Sequence, residues 1–165
     1  MKHSGVERSV QQSLLDRLVD LEPKTRSEVP PTWSESVRQL KNSLRHDLEW
    51  LLNTRRIPVD PPESFEELPR SLYNFGFPDI TSLGRDSREV RGRLLRQVEE
   101  TITTFEPRLA GVKVSLAESD ENGTRQFRFL IEGLLRMEPN PEQVVFDTVL
   151  EISSGEYHVK GDASA

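Results

Sequence analysis

Acids are the most numerous reactive groups in this sequence, with 28 Asp and Glu against three His and no Cys. Two carboxylates can cleave a glycosidic bond when they lie roughly 5–10 Å apart and one is held protonated. Two groupings invite that reading, Glu99-Glu100 and the set Glu118, Asp120 and Glu121. Adjacent helical positions diverge, so Glu99 and Glu100 do not face each other. The second set falls in a hairpin loop, where solvated acids are ordinary. Both groupings read as solvated charge. Nucleophilic chemistry has less support still: there is no Gly-x-Ser-x-Gly elbow, no cysteine, and no histidine placed as a base. His3, His46 and His158 lie far apart without ligand spacing, so no metal is expected, and no Gly-rich phosphate loop calls for a nucleotide or other cofactor.

One basic cluster remains, Arg85, Arg88, Arg91, Arg93 and Arg96. At helical spacing these arginines spread around the rod among Glu89, Glu99 and Glu100. In a chain of net charge -6 they read as a salt-bridged, solvated face rather than a nucleic-acid surface.

The elements that position these residues follow from the apolar spacing. A length of 165 residues with 34% hydrophobic and 30% charged residues describes one globular domain, ordered over about 9–160. No apolar run approaches the roughly 20 residues that span a bilayer. The Met1–Gly5 start leads into polar residues and not into the apolar core of a signal peptide. With no cysteine, the expected compartment is the cytoplasm.

Apolar residues recur at helical spacing up to residue 108 and alternate as in strands after it. A short helix is predicted over Ser9–Asp20, with Val10, Leu14, Leu15, Leu18 and Leu21 in one stripe. A long helix is predicted over Ser34–Asn53, capped by Ser34, with Val37, Leu40, Leu44, Leu48, Leu51 and Leu52 on its buried face. The segment from Ile57 to Pro78 reads as a loop with one helical turn, pinned by its aromatics. A third helix is predicted over Asp86–Phe105, with Asp86 and Glu89 at capping-box spacing and Gly92 inside it, a costly residue there whose reason, close packing or none, the sequence leaves open. Four strands follow, around Val112–Leu116, Phe127–Ile131, Val144–Ile152 and Tyr157–Val159, with Asn122-Gly123 and Ser154-Gly155 at turns. Three helices followed by a four-stranded, mainly antiparallel sheet make an α+β fold.

Three segments carry more than pattern: Asp47–Arg56 (DLEWLLNTRR), Tyr73–Asp79 (YNFGFPD) and Phe105–Leu109 (FEPRL). In this order they resemble the TssE family of type VI secretion baseplate proteins, related to a wedge subunit of contractile phage tails. The likeness covers roughly residues 10–155. It implies a non-enzymatic structural protein that joins the wedge proteins TssF, TssG and TssK. It also implies contact with the sheath, whose assembly such a subunit helps to start. The fold has been labelled lysozyme-like in related phage proteins, and a bacterial anti-adaptor family shares the architecture. Peptidoglycan cleavage and regulatory binding are therefore the alternatives. The resemblance points to Glu106, Pro107, Arg108, Asn53, Arg55 and Arg56 as partner-binding residues, with no metal, cofactor, small-molecule substrate, nucleic acid or direct membrane insertion. Proline after Glu106 fixes how the chain leaves the helix, and Arg108 then projects a planar donor fork. Glu106 and Arg108 either clamp each other or meet a partner. Arg55 and Arg56 either stabilise the helix C-terminus or contact another wedge subunit.

Overall fold

Thr32 opens the longest helix. Its hydroxyl oxygen accepts the Glu35 amide at 3.4 Å, and the Glu35 carboxylate accepts the Thr32 amide at 2.8 Å. This reciprocal capping box satisfies two backbone donors that a helix start leaves open. The bond from the Thr32 backbone, and then that from its side chain, holds the Glu35 carboxyl below its ordinary range. Helix α2 accordingly begins at Trp33, and the cap is Thr32 rather than Ser34, which is exposed inside the first turn. A Thr-x-x-Glu spacing was present in the sequence and outranks a lone serine.

The computed structural model describes residues 10, 12–19, 31–78, 88–117 and 126–162. They fall into two compact units, residues 1–44 and 45–165. In the first, helix α1 (Leu14–Leu18) is shorter than the apolar stripe suggested. It is joined to the start of α2 (Trp33–Asn53) by polar bonds: Val10 N to Ser36 Oγ, Gln12 to Gln39, and Ser43 Oγ to Asp16. Leu14, Leu15 and Leu18 stay exposed.

In the second unit α2 ends at Asn53, and two short 3-10 turns, Leu68–Arg70 and Leu72–Asn74, follow. Helix α3 covers Arg88–Phe105. Its predicted cap at Asp86 and the Asn122-Gly123 turn lie outside the described residues. Strands β1 (Leu109–Leu116), β2 (Gln126–Leu135), β3 (Glu142–Glu151) and β4 (Glu156–Asp162) form one sheet in the order β1-β2-β3-β4. All neighbouring pairs are antiparallel, so the fold is the expected α+β arrangement of three helices and then a four-stranded sheet. Alternation sends Phe129, Ile131, Val144, Phe146, Leu150, Tyr157 and Val159 to one face, where they are buried. Leu48, Leu51 and Leu52 of α2 and Leu94, Val98 and Ile102 of α3 supply the rest of this core.

Some charges are placed differently from the sequence reading. Glu99 is half-buried and accepts the Val114 amide at 3.1 Å, so it serves the outer edge of β1 rather than solvent. Arg91, Arg93 and Arg96 are exposed and have no ion pair among the described residues. Among the described residues these three are solvated; the side chains of Arg85, Arg88 and Glu89, the other members of the expected salt-bridged face, lie outside them.

Gly92 does not mark close packing, because a Cβ added there meets nothing within 4 Å. Its φ is not in the left-handed region. Gly92→Ala is therefore expected to stabilise the protein by about 0.5–1 kcal/mol through helix propensity alone. The shift in urea midpoint at unchanged m-value checks this.

Candidate functional site

The exit from α3 is a tight turn built on proline. The Glu106 amide still bonds helically to the Ile102 carbonyl at 2.8 Å, and the Leu109 amide closes a turn onto the Glu106 carbonyl at 3.2 Å. Pro107 occupies the second position of that turn, where its fixed φ is favourable. The Arg108 carbonyl then accepts the Arg136 amide at 2.8 Å, carrying the turn straight into the β1–β2 ladder.

Arg108 folds back on its own motif. Its Nε donates to Glu106 Oε1 at 2.7 Å, its Nη2 donates to Glu106 Oε2, and its backbone amide donates to the same carboxylate at 3.1 Å. Nη2 also donates to Asp47 Oδ2 at 2.5 Å, from a helix 61 residues earlier in the chain. Glu106 is buried at 5% exposure. The guanidinium pKa is raised, chiefly by the hydrogen bond to Glu106. Burial opposes this, and the Glu106 charge and the Asp47 contact reinforce it. Glu106 and Arg108 thus pair internally, and a second carboxylate joins them. Their charges hold the end of α3 to the middle of α2, while Pro107 is exposed.

The Leu-Asn-Thr-Arg-Arg segment makes a second fastening. Asn53 Nδ2 donates to the Tyr157 carbonyl at 2.8 Å, and Asn53 Oδ1 accepts the Tyr157 amide at 2.9 Å. The side-chain amide therefore satisfies both backbone groups of one residue on the edge strand β4. Further along that edge, Arg45 Nη1 donates to the Val159 carbonyl at 3.2 Å. An edge strand with bare backbone is a template for unwanted pairing, and α2 covers these three groups.

Next to Asn53 the backbone of Thr54–Arg56 pairs with Phe77. The Phe77 amide donates to the Thr54 carbonyl at 2.7 Å, and the Arg56 amide donates to the Phe77 carbonyl at 3.0 Å. Gly76 makes this approach possible, with φ at +105°. Phe77 is buried and stacks edge-on with Tyr157, their ring centroids 5.5 Å apart. Phe75 bridges Trp50 at 6.4 Å and Phe105 at 5.4 Å, both edge-on. The aromatics of this loop anchor it only in part, because Phe65 is exposed.

Of the six residues singled out, Glu106 and Arg108 come together and Asn53 binds β4. Arg56 is half-buried and lies 3.9 Å from Asp60, while Arg55 is exposed with no ion-pair partner among the described residues. Asp47, Gly76 and Tyr157 are the partners that the sequence did not single out. Asp47 opens the DLEWLLNTRR segment, but nothing local links it to a residue 61 positions away.

These contacts fasten elements of the fold to one another, Arg108 tying the end of α3 to α2 and Asn53 tying α2 to β4. The chain belongs to the baseplate wedge protein gp25 family, whose sequence profile matches residues 38–140. That stretch contains all three motif segments, and the family makes this chain a phage-tail-like baseplate component. No curated protein and no solved structure gives a significant match. Among the described residues, no helix is long and apolar enough to cross a membrane.

Proposed function

We propose that this chain is a TssE-type subunit of a type VI secretion baseplate, working on the cytoplasmic side, that joins a wedge of TssF, TssG and TssK and helps to start sheath assembly. The observation that carries this reading is the meeting of the three motif segments at the C-terminal half of α2. Asp47 binds Arg108, Asn53 binds Tyr157, and Thr54–Arg56 pair with Phe77. Such a rigid end suits a template on which other subunits assemble. Pro107, Arg55 and Trp50 are among its exposed members, Trp50 at 64%. In this reading the charges of Glu106 and Arg108 shape the surface, and the neighbouring exposed groups make the contact.

Gentle purification of the tagged protein from its host is the test. Wedge and sheath components are expected to accompany the wild type. Arg55→Glu is expected to keep the melting temperature within about 2 °C, because exposed substitutions away from structural contacts change stability little. It should lower recovery of wedge components at least tenfold, since a reversed charge in a contact is repulsive. Absence of wedge and sheath proteins from the wild-type eluate would overturn the proposal. Full recovery with Arg55→Glu would remove Arg55 from the contact.

A further inference from the structure

The β3–β4 hairpin gathers a histidine and two glutamates that the fastening of α2 does not use. Glu151 and Glu156 are direct cross-strand partners, and Val149 and His158 are the pair two residues further along each strand. Side chains alternate along a strand, so these four residues share one face of the sheet, opposite to Leu150 and Tyr157. One ligand atom from each of Glu151, Glu156 and His158 lies within 4.8 Å of the other two.

The electrostatics of this cluster are unbalanced. Like charges directly opposite each other on neighbouring strands are destabilising. Neither Glu151 nor Glu156 has an ion-pair partner among the described residues. A third carboxylate approaches from α2, with Glu49 Oε1 3.8 Å from His158 Nδ1. Arg45 takes the other oxygen of Glu49 at 3.3 Å and so compensates that acid only. Two glutamates are left facing each other beside an imidazole, a group that accepts a metal as readily as a proton.

We propose that Glu151, Glu156 and His158 form a binding site for one divalent transition-metal ion, with Zn2+ as the best-matched ion. One imidazole nitrogen and two carboxylate oxygens are a mixed donor set that suits zinc and its neighbours, whereas calcium and magnesium prefer oxygen alone. With the metal on Nε2, Glu49 Oε1 at 3.8 Å from Nδ1 would have to close by several tenths of an ångström to accept the remaining imidazole N–H and orient the ring. The ion joins β3 to the edge strand β4 beside the point where Asn53 holds Tyr157. It therefore stabilises the strand that α2 fastens. Histidine spacing could not show this site, because the two glutamates reach His158 through strand register.

The test uses the full, untagged chain, freed of metal with a chelator and then titrated with ZnCl2 by calorimetry and thermal unfolding. One ion per chain is expected. The melting temperature should rise by roughly 5–10 °C when free zinc exceeds its dissociation constant a hundredfold. His158→Ala and Glu151→Gln should each weaken binding at least tenfold with unchanged circular dichroism, and CaCl2 should give no comparable rise. Lack of zinc binding at 1 mM would overturn the proposal, as would zinc binding that survives both substitutions. A calcium effect as large as that of zinc and indifferent to His158→Ala would also overturn it, by showing general charge screening. If one variant misfolds, the other decides the outcome.

Discussion

Replacing Gly76 with alanine is expected to destabilise the protein by about 3–5 kcal/mol, the sum of backbone strain and overpacking at one residue. A Cβ at this position would sit 2.4 Å from the Thr54 carbonyl oxygen, which belongs to backbone and cannot rotate away. That oxygen accepts the Phe77 amide at 2.7 Å, so relieving the clash breaks the bridge between the two segments. The φ of +105° is independently unfavourable for any side chain. Gly155→Ala separates the two contributions. Its φ is +76°, but an added Cβ there meets nothing within 4 Å. Only the strain applies, and the loss should be about 1–2 kcal/mol. Urea unfolding of both variants measures the difference. Equal losses would mean that the Thr54 contact carries no weight.

How far this could be read from sequence depended on the range of the interaction. Helix α2 showed itself through leucines at 40, 44, 48, 51 and 52, all buried, because a 3.6-residue period leaves one apolar face. The sheet showed itself through the alternation of Val144, Phe146, Thr148 and Leu150, and the turn after Ile152 through Ser154-Gly155. Local chemistry misled where two signals competed. Ser34 looked like a cap, but the reciprocal bonds of Thr32 and Glu35 place the cap two residues earlier. Gly92 left open whether close packing required it, and the structure shows that the helix simply carries it.

The site divided along the same line. Glu106 and Arg108 are two residues apart, so their pairing was one of two readings the sequence left open. Asp47 and Tyr157 reach their partners only through the tertiary fold, across 61 and 104 positions. An asparagine at a helix end has many ordinary roles. Nothing in Leu-Asn-Thr-Arg-Arg says that its amide will satisfy an edge strand more than a hundred residues later. The short motifs are thus partly the internal joints of the fold and partly the surface those joints present. A substitution within them must be tested for folding before its effect on assembly is interpreted.

Arg108→Ala makes that distinction measurable. Removing the guanidinium leaves Glu106 with almost no solvent access and no cation, and releases Asp47 on α2. Removing one partner of a buried pair costs more than the pair contributes, because the remaining charge is stranded. Asp47 keeps 39% side-chain exposure and can rehydrate, so the loss belongs at the lower end of the usual range, about 3 kcal/mol. Arg108→Lys should fall between wild type and alanine, since an ammonium cannot bind the Glu106 carboxylate bidentately and still reach Asp47. Arg108→Met combined with Glu106→Gln removes both charges and retains volume, and it should recover at least half of the alanine loss. Denaturant midpoints of the three variants test these rankings. If the double variant regains stability but still fails to bring down wedge proteins, the motif's charges contact a partner as well as holding the turn. If it regains both, Glu106 and Arg108 act through the shape they impose on Pro107 and the end of α2. A single alanine variant that unfolds at the wild-type midpoint would show instead that the two carboxylates do not depend on Arg108.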